Sequence, residues 1–110
     1  MDNKLTSKRC VPCEGGVPPL TDADIETYMR EIRGWELIRT EPKQIRKKFS
    51  FKNFKEAMQF INKVAELAES EGHHPDIHIF YNRVVLELWT HAVGGLSEND
   101  FIMAAKIDMA

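Results

Sequence analysis

The sequence has little of the material that crosses a membrane or builds a disulfide framework. Its 110 residues include two cysteines, Cys10 and Cys13, which are too few to form the disulfide framework of a small secreted protein. No apolar run approaches the roughly 20 residues that span a bilayer. The first four residues also lack the apolar core of a signal peptide. We therefore expect a cytoplasmic protein with no membrane contact.

An excess of charge of either sign is also absent. Charged residues make up 29% of the chain, yet the net charge is −2, which gives no electrostatic reason to expect direct nucleic-acid binding. The hydrophobic share of 43% is enough for one buried core in a chain of this length. We predict a single domain over residues 20–110. An irregular arm over residues 1–19, which holds three of the five prolines, precedes it.

Capping residues and apolar spacing predict three helices. The first spans residues 22–33 behind an N-cap at Thr21, because apolar residues recur every three or four positions. The second runs from an N-cap at Asn53 to Gly72. The third starts at Ser97, which precedes an acidic residue by three positions, as in a capping box.

Alternating apolar residues predict four strands, arranged as two hairpins. The first hairpin pairs residues 35–39 with 44–51, and the second pairs 77–81 with 84–90 through a turn at residues 82–83. The element order is then α-β-β-α-β-β-α. This order predicts an α+β fold, in which three helices cover one face of a four-stranded antiparallel sheet.

The second predicted helix is apolar over about half of its circumference, where one core-facing side needs only about 100°. The residues that form this wide stripe are Phe54, Ala57, Met58, Phe60, Ile61, Val64, Ala65, Leu67 and Ala68. From this width we infer a second apolar contact, most simply another subunit, so that helix 53–71 joins a homodimer or homotetramer. Deeper burial within one chain is the alternative.

All four histidines lie between positions 73 and 91. Three of them, His73, His74 and His78, fall within six residues around Pro75, and the fourth is His91. The unperturbed histidine pKa, about 6.5, suits proton transfer near neutral pH. The cluster therefore predicts a site of acid–base chemistry. Histidines that merely pack a helix end and a hairpin are the alternative.

Two of these histidines are spaced like metal ligands. His74 and His78 have the i, i+4 separation of a metal pair on a helix. Pro75 argues against a helix through His74, and no full ligand set with familiar spacing is present, so we predict no bound metal. Cys10-x-x-Cys13 stays open between half a zinc site, a redox pair and two ordinary thiols.

A longer pattern combines an acidic residue four positions before His-His-Pro, a downstream aromatic residue, a later histidine and an aspartate. Its members are Glu69, His73, His74, Pro75, Tyr81, His91 and Asp100. The pattern resembles the signature of the pterin-4a-carbinolamine dehydratase family, over roughly residues 20 to 108. The arm that contains the cysteines is similar to that of bacterial members.

The resemblance implies a reaction as well as a fold. Members of this family have a four-stranded antiparallel sheet with three helices on one side, and they form dimers or tetramers. They remove water from 4a-hydroxytetrahydropterin, the carbinolamine, to give quinonoid dihydropterin. This step recycles the cofactor that aromatic amino acid hydroxylases use. Because the pterin is the substrate, no cofactor is expected.

The resemblance also implies roles for individual residues. His73 and His91 are expected to be the acid–base pair, and His74 is expected to bind and orient the substrate. Further substrate-binding or orienting residues are expected at Glu69, Pro75, Asp76 and Trp89. Two alternatives stay open for the tuning of the histidines: Glu69 tunes His73, or Asp76 tunes a neighbouring residue. Trp89 is either a wall on which the pterin stacks or a packing residue.

Two rival functions stay open. The same fold serves as a dimerisation cofactor of a transcription factor in mammalian relatives, and as an assembly factor for a carbon-fixing enzyme in relatives that have lost catalytic residues. A binding or assembly protein is therefore the first rival. A metal-dependent hydrolase that uses His73, His74 and His78 is the second.

Overall fold

The computed structural model describes residues 4–11 and 18–110 of the chain. The described elements follow the predicted order, with two short 3₁₀ segments added. In chain order they are a 3₁₀ helix (Lys4–Ser7), α1 (Asp22–Met29), β1 (Glu36–Ile38), β2 (Gln44–Ser50), α2 (Phe54–Glu71), β3 (Asp76–Phe80), β4 (Arg83–Leu88), a 3₁₀ turn (His91–Val93) and α3 (Glu98–Asp108).

The four strands form one antiparallel sheet in the order β1-β2-β4-β3. The central strand β4 alternates sharply, since Val84, Leu86 and Leu88 are fully buried while the residues between them are partly exposed. Ile45 of β2 pairs with Leu88 and is also fully buried. This alternation places the core on one face of the sheet, and the predicted α+β fold is confirmed.

The helices bury that core from one side. α2 contacts β4 and contributes Ala57, Phe60, Val64 and Ala68 to the buried cluster. α3 contacts both α2 and α1, and eight of its eleven residues are buried, among them the polar Asn99 and Asp100. Among the helices of the described residues, none combines the length and apolar character needed to span a bilayer.

Helix capping fixes the ends of the elements that frame the site. The side chain of Asn53 accepts a hydrogen bond from the Glu56 N–H (2.9 Å), and α2 ends where Gly72 adopts φ 67°. Glycine pays no steric cost in this left-handed conformation. Ser97 and Asp100 form the predicted capping box of α3. These predicted ends of α2 and α3 are confirmed.

The predicted end of the first helix is wrong. α1 ends at Met29 rather than at residue 33, and Arg30 is its C-cap. The chain then turns, with the Glu31 N–H donating to the Tyr28 carbonyl, and Ile32 is buried from this turn rather than from a helix. The apolar spacing could not reveal this, because a turn can bury the same residue as a further helical turn.

The second hairpin also differs in detail. Its turn lies at Tyr81 and Asn82, one residue earlier than predicted, because Tyr81 adopts a left-handed conformation at φ 57°. β4 ends at Leu88 rather than at residue 90. Beyond it, Thr90 forms an isolated bridge with Gly95, which starts the turn that leads to α3. The early end of β4 releases the next residues from the sheet.

The described part of the N-terminal arm packs into the same core as the domain. Its 3₁₀ helix contacts α3, and Leu5 is 1% exposed. The composition of the arm does not predict this turn or its burial. Cys13 and the glycine pair that follows it lie outside the described residues, so the structure describes only Cys10 of the Cys-x-x-Cys motif.

Candidate active site

A cleft of about 410 Å³ opens where the end of α2 meets the segment after β4. Six of the seven predicted site residues line it: His73, His74, Pro75, Asp76, Trp89 and His91. The seventh, Glu69, lies outside the cleft lining and contacts His74. Residues from two distant segments of the sequence therefore meet in one cleft.

Local backbone geometry brings the histidine pair into this cleft. Gly72 ends α2, and Pro75 is buried at the entry to β3, so His73 and His74 lie in the four-residue connection between helix and strand. The loop separates His74 from His78, which lies within β3. The prediction that Pro75 prevents a helical His74–His78 pair is confirmed.

A buried carboxylate holds His73. The ring Nε2 lies 2.6 Å from Oδ1 of Asp100, whose side chain is fully buried, while the His73 side chain is 12% exposed. The other oxygen, Oδ2, accepts hydrogen bonds from the Thr90 hydroxyl (2.8 Å) and the Ser97 N–H (2.9 Å). A carboxylate only accepts hydrogen bonds, so Nε2 carries the hydrogen and Nδ1 is the basic nitrogen of the neutral ring.

A different and exposed carboxylate contacts His74. Its Nε2 lies 2.5 Å from Oε2 of Glu69, and both side chains are more than half exposed. Of the two expected alternatives, the one in which Glu69 contacts His73 is not seen, because Glu69 pairs with His74 and Asp100 pairs with His73. Glu69 lies on the solvent side of the last turn of α2, whereas the His73 ring turns inward toward Asp100. Solvent screening makes the outer pair the weaker of the two.

His91 reaches the cleft from the segment after β4. Its ring stacks on Trp89, with ring centroids 3.8 Å apart and planes inclined by 22°. Within the part of the chain that the structure describes, its ring nitrogens make no hydrogen bond. His91 therefore covers one face of Trp89. This stacking orients the His91 ring and leaves its nitrogens available to a ligand.

The fourth histidine lies away from the cleft. His78 is on the open face of the sheet, where its Nε2 contacts Oε1 of Glu87 at 2.7 Å. Burial opposes ionisation of Glu87, but hydrogen bonds from His78 and Arg46 outweigh it and lower the pKa of this carboxyl. Over residues 4–11 and 18–110, no three histidine, cysteine or acidic side chains are grouped as a metal site.

The arm and α3 complete one wall of the cleft. Val11 and Asn99 both line it, and the Cys10 N–H donates to Oε1 of Glu71 at 2.8 Å. Burial, together with the negative charge of Glu71, raises the pKa of the Cys10 thiol to about 12. A thiol with so high a pKa is a weak nucleophile and a weak metal ligand at neutral pH.

Several contacts and residues that shape the site have no signal in the local sequence. Asp100 belongs to the signature and to a helix cap, but its contact with His73 spans 27 positions and has no local signal. Val11, Thr90 and Asn99 also line the cleft. Val11 and Thr90 stand in runs that resemble the family, but none of the three was predicted as a site residue. The signature aromatic Tyr81 is 68% exposed at the hairpin turn and stacks on Phe54 outside the cleft.

Known proteins of one family are similar to this chain over most of its length. Residues 18–110 match the model of the pterin 4 alpha carbinolamine dehydratase family. The chain belongs to this family. A Nitrosospira multiformis protein, provisionally named a pterin-4-alpha-carbinolamine dehydratase, is 53% identical over 104 residues, which cover 94% of this chain and 89% of the relative. A Rubrobacter xylanophilus protein with the same provisional name is 45% identical over 96% of this chain and 97% of its own.

Two solved structures share the fold. One is described as a transcriptional coactivator/pterin dehydratase from Brucella melitensis. It has a TM-score of 0.78 and 34% identity, with coverage of 83% of this chain and 96% of its own. The other is a pterin dehydratase-like protein identified as a RuBisCO assembly factor in the alpha-carboxysome. Its TM-score is 0.60 at 24% identity, with coverage of 70% of this chain and 88% of its own, so it supports the fold alone.

Proposed function

We propose that this protein removes water from 4a-hydroxytetrahydropterin to give quinonoid dihydropterin, and that it does so by histidine acid–base catalysis in tetrahydropterin recycling. The observation that carries this proposal is the convergence of His73, His74 and His91 in one cleft. Membership of the dehydratase family supports the same reaction.

The reaction needs two proton transfers at different atoms of the pterin. The C4a–O bond breaks, and the hydroxyl leaves as water after it takes a proton from an acid. The N5–H bond breaks as well, and its electron pair forms the C4a=N5 double bond while a base takes the proton. We propose His73 and His91 as the acid–base pair, because each reaches the cleft from a different segment of the chain.

The contact between His73 and Asp100 supports a proton-transfer role for His73. The buried carboxylate fixes the tautomer, so that Nδ1 is the nitrogen that can exchange a proton with the substrate. It also offsets the positive charge that the ring gains when it is protonated, as the aspartate of a catalytic triad does. His74 is more exposed and is proposed to bind and orient the pterin.

The proposed mechanism needs no metal or cofactor, since protonation by one histidine and deprotonation by another complete the dehydration. Pro75 and Asp76 are proposed to bind or orient the substrate beside these rings, and both line the cleft. Trp89 is proposed to support His91, because the stacked imidazole covers one of its faces.

The test is the rate of dehydration of 4a-hydroxytetrahydropterin, followed by ultraviolet absorbance, for wild type and single alanine variants. His73→Ala and His91→Ala are each expected to reduce the rate by about two orders of magnitude, as for the loss of an acid–base group. His78→Ala is the matched control, because this histidine contacts Glu87 on the open face of the sheet. Near-normal rates in both cleft variants would contradict the assignment of His73 and His91 as the acid–base pair.

We also propose that the protein is a homodimer or homotetramer. Phe54 of α2 is 48% exposed and stacks on Tyr81, which follows β3, and this edge strand of the described sheet exposes Ile77 and Ile79 at 39% and 37%. Exposed apolar side chains next to an unpaired strand edge favour contact with a second copy. Sedimentation analysis should give a multiple of the chain mass for wild type. Phe54→Glu should shift it toward the monomer, and a monomeric wild type would contradict the proposal.

A further inference from the structure

The N-terminal arm reaches the cleft at a single described residue, and its anchors lie next to the proposed catalytic groups. Glu71, which accepts the Cys10 N–H, precedes His73 by two positions. Asn99, which contacts Val11, immediately precedes Asp100. The arm is therefore tied to both segments that position the His73 ring.

The anchors hold the backbone of the arm rather than its side chains. The Val11 N–H donates to Oδ1 of Asn99 at 3.0 Å, and Nδ2 of Asn99 donates to the Val11 carbonyl at 2.6 Å. Asn99 is only 5% exposed, so this reciprocal pair lies in a protected setting. The carboxylate of Glu71 is fixed in turn by Lys106, whose Nζ lies 2.6 Å from Oε2.

The side chain of Val11 behaves differently from the backbone that carries it. Val11 as a whole residue is 64% exposed, and it lines the cleft together with His73 and Trp89. A fixed backbone that presents an apolar side chain to a cleft is typical of a preformed ligand contact, because such sites combine apolar walls with a few placed polar groups. The neighbouring Leu5, by contrast, is 1% exposed and serves the core.

We propose that Val11 is a substrate-binding residue that forms part of the wall of the pterin site, and that its two hydrogen bonds with Asn99 hold it in place. Through Val11 the arm contributes to substrate affinity rather than to proton transfer. This inference rests on the proposed function, because it adds a contact to the same site. Asn99 acts through Val11 and is a positioning residue.

The test compares Val11→Ala, Val11→Asp and Asn99→Ala with wild type, both in the dehydration assay and in calorimetric binding of 7,8-dihydrobiopterin, a pterin that cannot be dehydrated. Loss of two methyl groups from a partly covered contact should raise KM and the Kd about three- to tenfold in Val11→Ala, with kcat within about twofold of wild type. Val11→Asp should weaken binding further. Asn99→Ala should also raise KM more than it lowers kcat.

Met109→Ala is the matched control, because Met109 is an apolar residue 75% exposed at the end of α3 and outside the cleft lining. An active wild type whose KM and Kd stay unchanged in both Val11 variants would overturn this inference and leave the proposed function standing. A wild type that neither dehydrates the carbinolamine nor binds the dihydropterin would overturn the proposed function and the inference with it. A fall in kcat with unchanged KM would also contradict a binding role.

Discussion

Replacement of Asp100 by asparagine tests how the buried carboxylate controls His73. Oδ2 of Asp100 accepts hydrogen bonds from Thr90 and from the Ser97 N–H, and the latter group can only donate. The asparagine oxygen must therefore take this position, which turns the amide NH₂ toward Nε2 of His73. Two donors cannot face each other, so the neutral ring must move its hydrogen to Nδ1.

The expected magnitude follows from this change of tautomer. The nitrogen available to the substrate is then protonated, and the negative charge behind the ring is lost. We expect kcat/KM for dehydration to fall about 10²- to 10³-fold, which corresponds to about 2.7 to 4 kcal/mol of transition-state stabilisation. The variant should also lose about 1 to 3 kcal/mol of unfolding free energy, because the buried hydrogen bonds from Thr90 and Ser97 lose the negative charge of their acceptor.

The assay is the ultraviolet dehydration rate over a range of pH, with thermal unfolding measured on the same samples. Asp108→Asn is the matched control on the same helix, because Asp108 accepts hydrogen bonds from Trp35 and Lys47 away from the cleft. It should leave kcat/KM within about threefold of wild type, since no site residue contacts it. A folded Asp100→Asn variant with a near-normal rate would refute the reasoning.

Three further predictions concern the surroundings of the cleft. Glu69→Gln should lower kcat/KM less than about fivefold in the dehydration assay, since exposed ion pairs such as the one with His74 contribute little, and a hundredfold loss would contradict this. Iodoacetamide should label Cys10 at pH 7.5 much more slowly in the folded protein than in the unfolded chain, because its pKa of about 12 keeps the thiolate scarce. Equal rates at Cys10, read by peptide mass mapping, would contradict its partly buried position. The hydrogen bond from Lys106, and after it the one from the Cys10 N–H, lowers the pKa of Glu71 in the folded protein. The ionised Glu71 therefore stabilises the fold above the ordinary carboxyl pKa, and this contribution is lost as pH falls through the pKa of Glu71 in the folded state. Glu71→Gln should therefore reduce the free energy of unfolding by about 1 to 3 kcal/mol at pH 7 and by less at pH 3, whereas the same loss at both pH values would contradict the shift.

The fold could be predicted from the sequence wherever a local signal fixes an element. The caps at Asn53 and Ser97 and the glycine at position 72 gave correct ends for the helices that frame the site. Local spacing failed at Ile32, which a turn buries as effectively as a helix. It failed again at Tyr81, whose left-handed backbone moves the hairpin turn by one residue.

The site was predictable as a set of residues but not as a set of contacts. The signature marked the histidines that line the cleft, whereas the partner of each ring depends on which way the ring faces after α2 ends. His73 therefore pairs with Asp100, and Glu69 pairs with His74. The packing of Val11 against Asn99 joins segments 88 positions apart and has no counterpart in local pattern. Cytoplasmic location and the absence of nucleic-acid binding stay predictions.

The central claim is that the histidine cleft dehydrates a pterin carbinolamine, and the most direct test is the dehydration rate of 4a-hydroxytetrahydropterin with His73→Ala and His78→Ala beside wild type. The account predicts strong acceleration by wild type and by His78→Ala, and a rate about two orders of magnitude lower for His73→Ala. No acceleration by folded wild type, or an undiminished rate in His73→Ala, would contradict it.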